Sequence, residues 1–486
     1  MAMFRTTVGN MTTSTSTIET PSGLITGNSS LKGHREFLGI RYANAKRFEQ
    51  PADIESWEGV LNATAHGSIC PQVPGVLEMM LGFDETKMNE DCLNLNVFSP
   101  AQATSESKLP VLFWVHGGAF TNGSGSLAWY DGGSLANRDV VVVTINYRLG
   151  AFGFLGDGNY GTSDMISALR WVQRNISSFG GDAGNVTIFG ESAGGSAVIS
   201  LMAAPEANNL FHKVWSMSPS IGQLRDKNRA KEHETQFLSI AEVDNRDKAA
   251  QLSVQDILNA QTKQMAMEST AFDFFSPTAN GHGLSEDILA AASASGLPFV
   301  VGTNRDENRL WSAFDPKNAS ATEEDWKKFC VTSFGDQASD AQKIFETVRK
   351  GDTPGQLMSA VSTDTGFRQR AISFSNDRLG KNTPTWMYWF TWASPAFDGA
   401  VGCCHALDIP FAFDNLEAPG TDMFTGDGAD RFPIADRFAS EIVQFATHGH
   451  PSWAQYDLES RTTLVIGTKT ELVSDPEASV RLLFGN

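Results

Sequence analysis

Ser192 stands between two glycines in Gly190-Glu-Ser-Ala-Gly194, directly after the apolar run Val186-Thr-Ile-Phe189 and directly before the helix-forming stretch Ala197 to Ala203. A serine hydroxyl becomes a useful nucleophile when a tight strand-to-helix turn exposes it to a neighbouring base. Glycines two positions before and after it remove side chains that would collide with strand and helix. The helix N-terminus then directs amide hydrogens at an anion forming beside the serine. The chemistry such a turn serves is acyl transfer to the serine oxygen. A bare Gly-x-Ser-x-Gly also arises in Gly-rich loops, and the flanking strand and helix set this one apart.

A second motif suits the same reaction. The apolar run Leu109-Pro-Val-Leu-Phe-Trp-Val115 ends in His116-Gly-Gly-Ala-Phe120, about 75 residues before the serine, which is the arrangement of an oxyanion-binding loop. The donors expected are the amides of Gly117 and Gly118, with that of Ala193 after the nucleophile. His116 is read as an anchor of this loop rather than as the base.

The base must come from elsewhere. Along chains built on this turn the order is nucleophile, acid, histidine, which leaves His212, His233, His282, His405, His448 and His450. His405 precedes the apolar, aromatic segment Ala406-Leu-Asp-Ile-Pro-Phe-Ala-Phe413, whereas His448 and His450 sit in a polar turn. For the acid, Asp306 and Glu307 follow the run Pro298-Phe-Val-Val-Gly302. Either is placed to hold an imidazole, and their positions alone do not separate them.

The elements that must carry these residues are short β-branched runs without polar alternation, at Leu109 to Val115, Val140 to Ile145, Val186 to Phe189 and Pro298 to Gly302. Such runs fit strands buried on both faces of a mainly parallel sheet. Ile166, Leu169, Val172 and Ile176 recur at helical spacing, predicting a helix over Ser163 to Ile176 with Ser163 as N-cap and Asp164 at its positive end. Strand and helix signals alternate, so the fold class is α/β. No linker divides the 486 residues, which reads as one enlarged domain with a helical insertion or cap at about 225–267. Phe120, Trp129 and Phe154 are candidates for the pocket wall.

Composition bounds the partners. The formal net charge of -19 disfavours nucleic acid and anionic membrane surfaces. The start, Met1 to Pro21, is Ser/Thr-rich and lacks an apolar stretch of signal-peptide length, and no run approaches a membrane span. The expectation is a soluble, cytoplasmic protein. Five cysteines, Cys70, Cys92, Cys330, Cys403 and Cys404, are too few for a disulfide scaffold and contain no Cys-x-x-Cys pair. Cys403 and Cys404 read as small buried packing residues. A bridge between Cys70 and Cys92 is possible.

The stretch Gly161-Thr-Ser-Asp to Phe179-Gly-Gly-Asp182, running into Phe189-Gly-Glu-Ser-Ala-Gly-Gly195, resembles the type-B carboxylesterases, which include bacterial para-nitrobenzyl esterases and the cholinesterases. Glu90-Asp-Cys-Leu-Asn-Leu-Asn96, Phe37-Leu-Gly-Ile-Arg-Tyr-Ala43 and Cys70-Pro-Gln72 carry the likeness further, over nearly the whole chain. The resemblance implies an α/β-hydrolase fold and a Ser192, His405, Glu307 triad acting on small to medium carboxylic esters, with no cofactor or metal. Its glutamate selects Glu307 over Asp306, and the separations of 115 and 98 residues along the triad look similar. It also implies a Cys70–Cys92 loop near the active-site mouth. Asn308 and the Cys403-Cys404 pair depart from the family pattern. Alternative readings are a lipase using Val73 to Phe83 as a lid, and a non-catalytic binding relative.

Overall fold

The apolar runs assemble into a 13-stranded sheet in a computed structural model that describes residues 14–267 and 273–486. Most of the Ser/Thr-rich start, residues 1–13, lies outside the described residues. Six central strands are mutually parallel, in the spatial order Val141–Ile145, Leu109–Val115, Gly181–Glu191, Lys213–Met217, Phe299–Asn304, Thr385–Phe390, and a seventh, Thr462–Ile466, continues the parallel set. Antiparallel strands flank it, Asn94–Pro100 and the N-terminal strands at one end and Glu471–Ser474 at the other.

Burial on both faces explains the missing polar alternation. Along Leu109–Val115, Val111, Phe113 and Val115 enter one core cluster while Leu112 and Trp114 enter the opposite one, as the two-residue period of a strand requires. A smaller third cluster gathers Trp326, Phe345 and Leu357 under the helices after residue 322.

One helix boundary differs from expectation. The helix spans Tyr160–Asn175 and its N-cap position is Asn159, not Ser163. Asn159 does not cap through its side chain; its amide group donates to Thr278 O and His282 O. Asp164 therefore falls in the second turn, where it meets Arg148 rather than the helix dipole. The guanidinium donates from Nε and Nη2 to the carboxylate at 2.8 and 2.7 Å, both side chains being buried.

The stretch 225–267 folds into helices Lys227–Ile240, Arg246–Ala249 and Val254–Met267. Among the described residues no helix is long and apolar enough to cross a membrane.

Candidate active site

Strand Gly181–Glu191 delivers the chain to Ser192, which has φ 59° and ψ -121°, and helix Ala193–Met202 begins at the next residue. Positive φ strains any residue with a Cβ, and such strain is characteristically retained at functional turns. The reason for the flanking glycines is visible in the packing. A Cβ on Gly190 would lie 2.6 Å from Val115 O, and one on Gly194 would lie 2.0 Å from the same oxygen. The neighbouring strand thus passes too close for any side chain.

Ser192 opens into a cavity of about 640 Å³ whose wall also includes Gly117, Gly118, Ala119, Glu191 and His405. Among the described residues the amides of Gly117 and Gly118 meet no protein acceptor, and the amide of Ala193 belongs to a first helical turn, which has no carbonyl of its own helix to use. The amide of Ala119 was not foreseen as a donor, and it shares both the position on the wall and the lack of a partner. The loop is held from behind. Gly123 N donates to Gln72 Oε1 at 2.7 Å, and Gln72 Nε2 donates back to Gly123 O at 3.0 Å.

His116 is buried with its ring stacked on Tyr147 and its Nδ1 2.8 Å from Gly117 O. Burial lowers its pKa to about 4, which keeps the ring neutral.

His405 and Glu307 are brought together, with Nδ1 2.6 Å from Oε2. The other oxygen of Glu307 accepts from Ser218 Oγ at 2.6 Å and Asn304 N at 2.7 Å, so the carboxylate is locked in place. Asp306 points elsewhere, accepting from Cys403 N and facing Arg309 and Arg349. His405 Nε2 makes no hydrogen bond, to Ser192 or any other described residue; it lies 3.1 Å from Glu191 Oε1. His448 and His450 are exposed at the end of a distant helix.

Burial would lower the pKa of His405, but Glu191 and then Glu307 outweigh it and raise it to about 9. Burial raises Glu191 to about 8, and burial with the charge of Glu307 raises Asp408 to about 7. Glu191 was printed in the Gly-x-Ser-x-Gly motif yet carried no signal of its role, because what it faces is decided by a residue over two hundred positions away.

One expectation is corrected. Phe120, Trp129 and Phe154 do not line the cavity. Phe120 takes φ 60° and turns its ring onto Phe154 in the core, at 5.1 Å, and Trp129 packs on Phe424. The aromatic wall is instead Tyr130, Trp311 and Phe367. Cys70 and Cys92, whose pairing the residues left open, stand as buried free thiols in the structure. Hydrogen bonding to Cys70 and burial push the Cys92 thiol well up, and Leu149 N donates to Cys70 Sγ at 3.2 Å. The segment Val73 to Phe83, the lid of the alternative lipase reading, forms a short helix, Val76–Met80, and contributes Gly75, Leu77 and Glu78 to the cavity wall. Cys403 and Cys404 are buried, and burial raises both thiols far above their usual range.

A parallel-centred sheet carrying a strained serine between strand and helix, at the floor of a cavity, defines the α/β hydrolases. Residues 14–481 match the model of the Carboxylesterase family, and the chain belongs to that family. It is 35% identical to para-nitrobenzyl esterase of Bacillus subtilis (strain 168), over 96% of this chain and 97% of the relative. It is 32% identical to fumonisin B1 esterase of Sphingopyxis macrogoltabida, over 89% and 82%. Among solved structures, the carboxylesterase of Geobacillus stearothermophilus superposes with a TM-score of 0.83 at 31% identity, covering 96% of this chain and 99% of that one. The protein is a carboxylic ester hydrolase.

Proposed function

We propose that this chain hydrolyses small to medium carboxylic esters through an acyl-enzyme on Ser192, with His405 as base and Glu307 as its orienting acid. The observation that carries the reading is the 2.6 Å bond from Glu307 to His405 Nδ1 in the cavity that Ser192 opens. In the neutral ring that bond fixes the tautomer, keeping the proton on Nδ1 so that Nε2, which rests 3.1 Å from Glu191 Oε1, is able to accept one. For the first step the ring pivots on Glu307 so that Nε2 leaves Glu191 for Ser192 Oγ; such contacts commonly tighten only when substrate is bound.

Nε2 then takes the hydroxyl proton as Oγ attacks the ester carbonyl. The oxyanion is received by amides drawn from Gly117, Gly118, Ala119 and Ala193, in a place where no water need be reorganised. The imidazolium returns its proton to the leaving alcohol, and water repeats the sequence on the acyl-serine. A cavity of about 640 Å³ is in the range that small molecules occupy.

The test is Ser192→Ala assayed on a neutral 4-nitrophenyl ester, alongside labelling of the wild type by a fluorophosphonate. Turnover is expected to fall by at least about 10³-fold, with one label per chain on Ser192. Substantial turnover by a folded Ser192→Ala protein refutes the assignment.

A further inference from the structure

We infer that Arg370 gives this cavity an anionic subsite, so that its preferred esters carry a carboxylate in their acyl or alcohol part. The inference rests on the catalytic reading above and names the substrate class for the same site.

The backbone that presents Arg370 is irregular. Helix Pro354–Thr363 passes into helix Gln369–Leu379 through a π-helical turn, Asp364–Arg368. Turns of this kind insert a residue into the helix and change which side chains share a face, and they recur at functional sites. Gly366, Phe367 and, just past the turn, Arg370 join Ser362 on the cavity wall. The Phe367 ring centroid lies 4.8 Å from that of His405. Arg370 follows three residues later, on the same face.

A second contact locates the guanidinium. It packs over Gly222, where a Cβ would approach Arg370 Cζ to 3.1 Å and Nη1 to 3.4 Å. Gly222 comes two residues after Ser220, whose amide donates to the carbonyl of Ser192 at 3.3 Å. Arg370 thus lies one helical turn from a residue touching His405 and packs on a segment bonded to the nucleophile's own backbone.

Its side chain is exposed, and no acid among the described residues answers its charge. Among the described residues no carboxylate lies within 4.0 Å of Arg370, and its side chain's one hydrogen bond is from Nε to Thr365 O at 3.1 Å. The other cation on the wall, Arg229, faces Asp273 at 3.1 Å. The acids on the wall are engaged elsewhere: Asp273 faces Arg229, Glu78 accepts from Gly75 N, and Glu191 faces His405. A guanidinium with free Nη groups pairs a carboxylate through two parallel hydrogen bonds. The net charge of -19 opposes anions at long range, but that field is screened beyond about 10 Å at 0.1 M salt, so selection falls to the wall.

The experiment measures kcat/KM for two matched pairs of esters. Mono-4-nitrophenyl adipate against its methyl ester places the charge on the acyl side. 4-Carboxyphenyl butyrate against 4-carbamoylphenyl butyrate places it on the alcohol side. The readout is the charged-to-neutral ratio within a pair, which a merely structural loss does not move. In at least one pair the ratio is expected to fall about tenfold in Arg370→Ala, further in Arg370→Glu, and to recover partly in Arg370→Lys. The wild-type ratio in that pair is expected to shrink as salt rises from about 50 to about 500 mM. Ratios that stay within about twofold of wild type in both pairs, in Arg370→Ala and Arg370→Glu alike, overturn the subsite. If Ser192→Ala turns over the neutral esters as well as wild type does, the catalytic reading fails first and takes the subsite with it.

Discussion

Glu191 Oε1 lies 3.1 Å from His405 Nε2 while Glu307 Oε2 holds Nδ1 at 2.6 Å, so the imidazole sits between two buried carboxyl groups. A carboxylate stabilises the imidazolium, and together the two outweigh the burial that would otherwise lower the pKa, bringing His405 to about 9. Glu191 is itself raised to about 8, by burial first. The two groups titrate as a pair rather than singly.

A base must be unprotonated to act, so kcat/KM on a neutral ester is expected to climb with pH through a limb lying well above the ordinary histidine range. Replacing Glu191 by glutamine removes the largest charge favouring the imidazolium. The limb in Glu191→Gln is therefore expected to move to lower pH. A pH profile of kcat/KM for both proteins checks this, and a limb that stays put or moves upward counts against the pairing.

Glu307→Gln probes the other side of the ring. Its amide oxygen can still accept from Ser218 Oγ and Asn304 N, which leaves an NH₂ group facing Nδ1. That nitrogen must then accept rather than donate, and the proton moves to Nε2, where it blocks base catalysis. Loss of the correct tautomer costs about 10⁴ in kcat in a serine protease triad. A fall of about 10³ to 10⁴ is expected here, with thermal unfolding near that of wild type. A fall below about tenfold would show that Glu307 is not the orienting acid.

How much of this was legible in the residues follows from how local each signal is. The strand runs and the serine turn are local: buried strands show as unbroken apolar stretches, and Gly190 and Gly194 are imposed by the passing carbonyl of Val115. The choice between Asp306 and Glu307 is not local. It depends on which of two adjacent side chains meets His405 and which meets Cys403 and Arg349. Phe120 was misread because its left-handed backbone reverses the direction of its side chain. Arg370 was invisible because a π-helical turn obeys no periodicity that a helical pattern would show. Ser163 looked like a cap because nothing in its vicinity announces that Asp164 is claimed by Arg148.

That last pair carries a stability prediction. Arg148 and Asp164 are both buried and joined by two side-chain hydrogen bonds, and Asp164 also accepts from Arg148 N at 3.0 Å. Removing one partner strands a buried guanidinium, a loss of about 3–5 kcal/mol. Asp164→Ala is expected to unfold at correspondingly lower denaturant concentration, with the m-value unchanged. A shift worth less than about 1 kcal/mol would mean that water reaches Arg148.

The oxyanion loop offers a sharper test, because its geometry is enforced by contact rather than by charge. Gly118 has φ 102°, and a Cβ there would lie 2.1 Å from Asn122 O. Asn122 cannot retreat freely. Its amide and that of Thr121 donate to Gly118 O, and the next residue, Gly123, is clasped by Gln72. Gly118→Ala must therefore move the amides that face the cavity while leaving the distant core untouched. Loss of one such donor costs about 10² to 10³ in kcat, and that fall is expected, with KM little changed because the ground-state carbonyl gains less from the donors than the oxyanion does. Gly296→Ala serves as the control, since an added Cβ there meets nothing within 4 Å; its kcat should stay within about twofold of wild type. If Gly118→Ala matches the control in kcat, the amides of this loop do not bind the oxyanion.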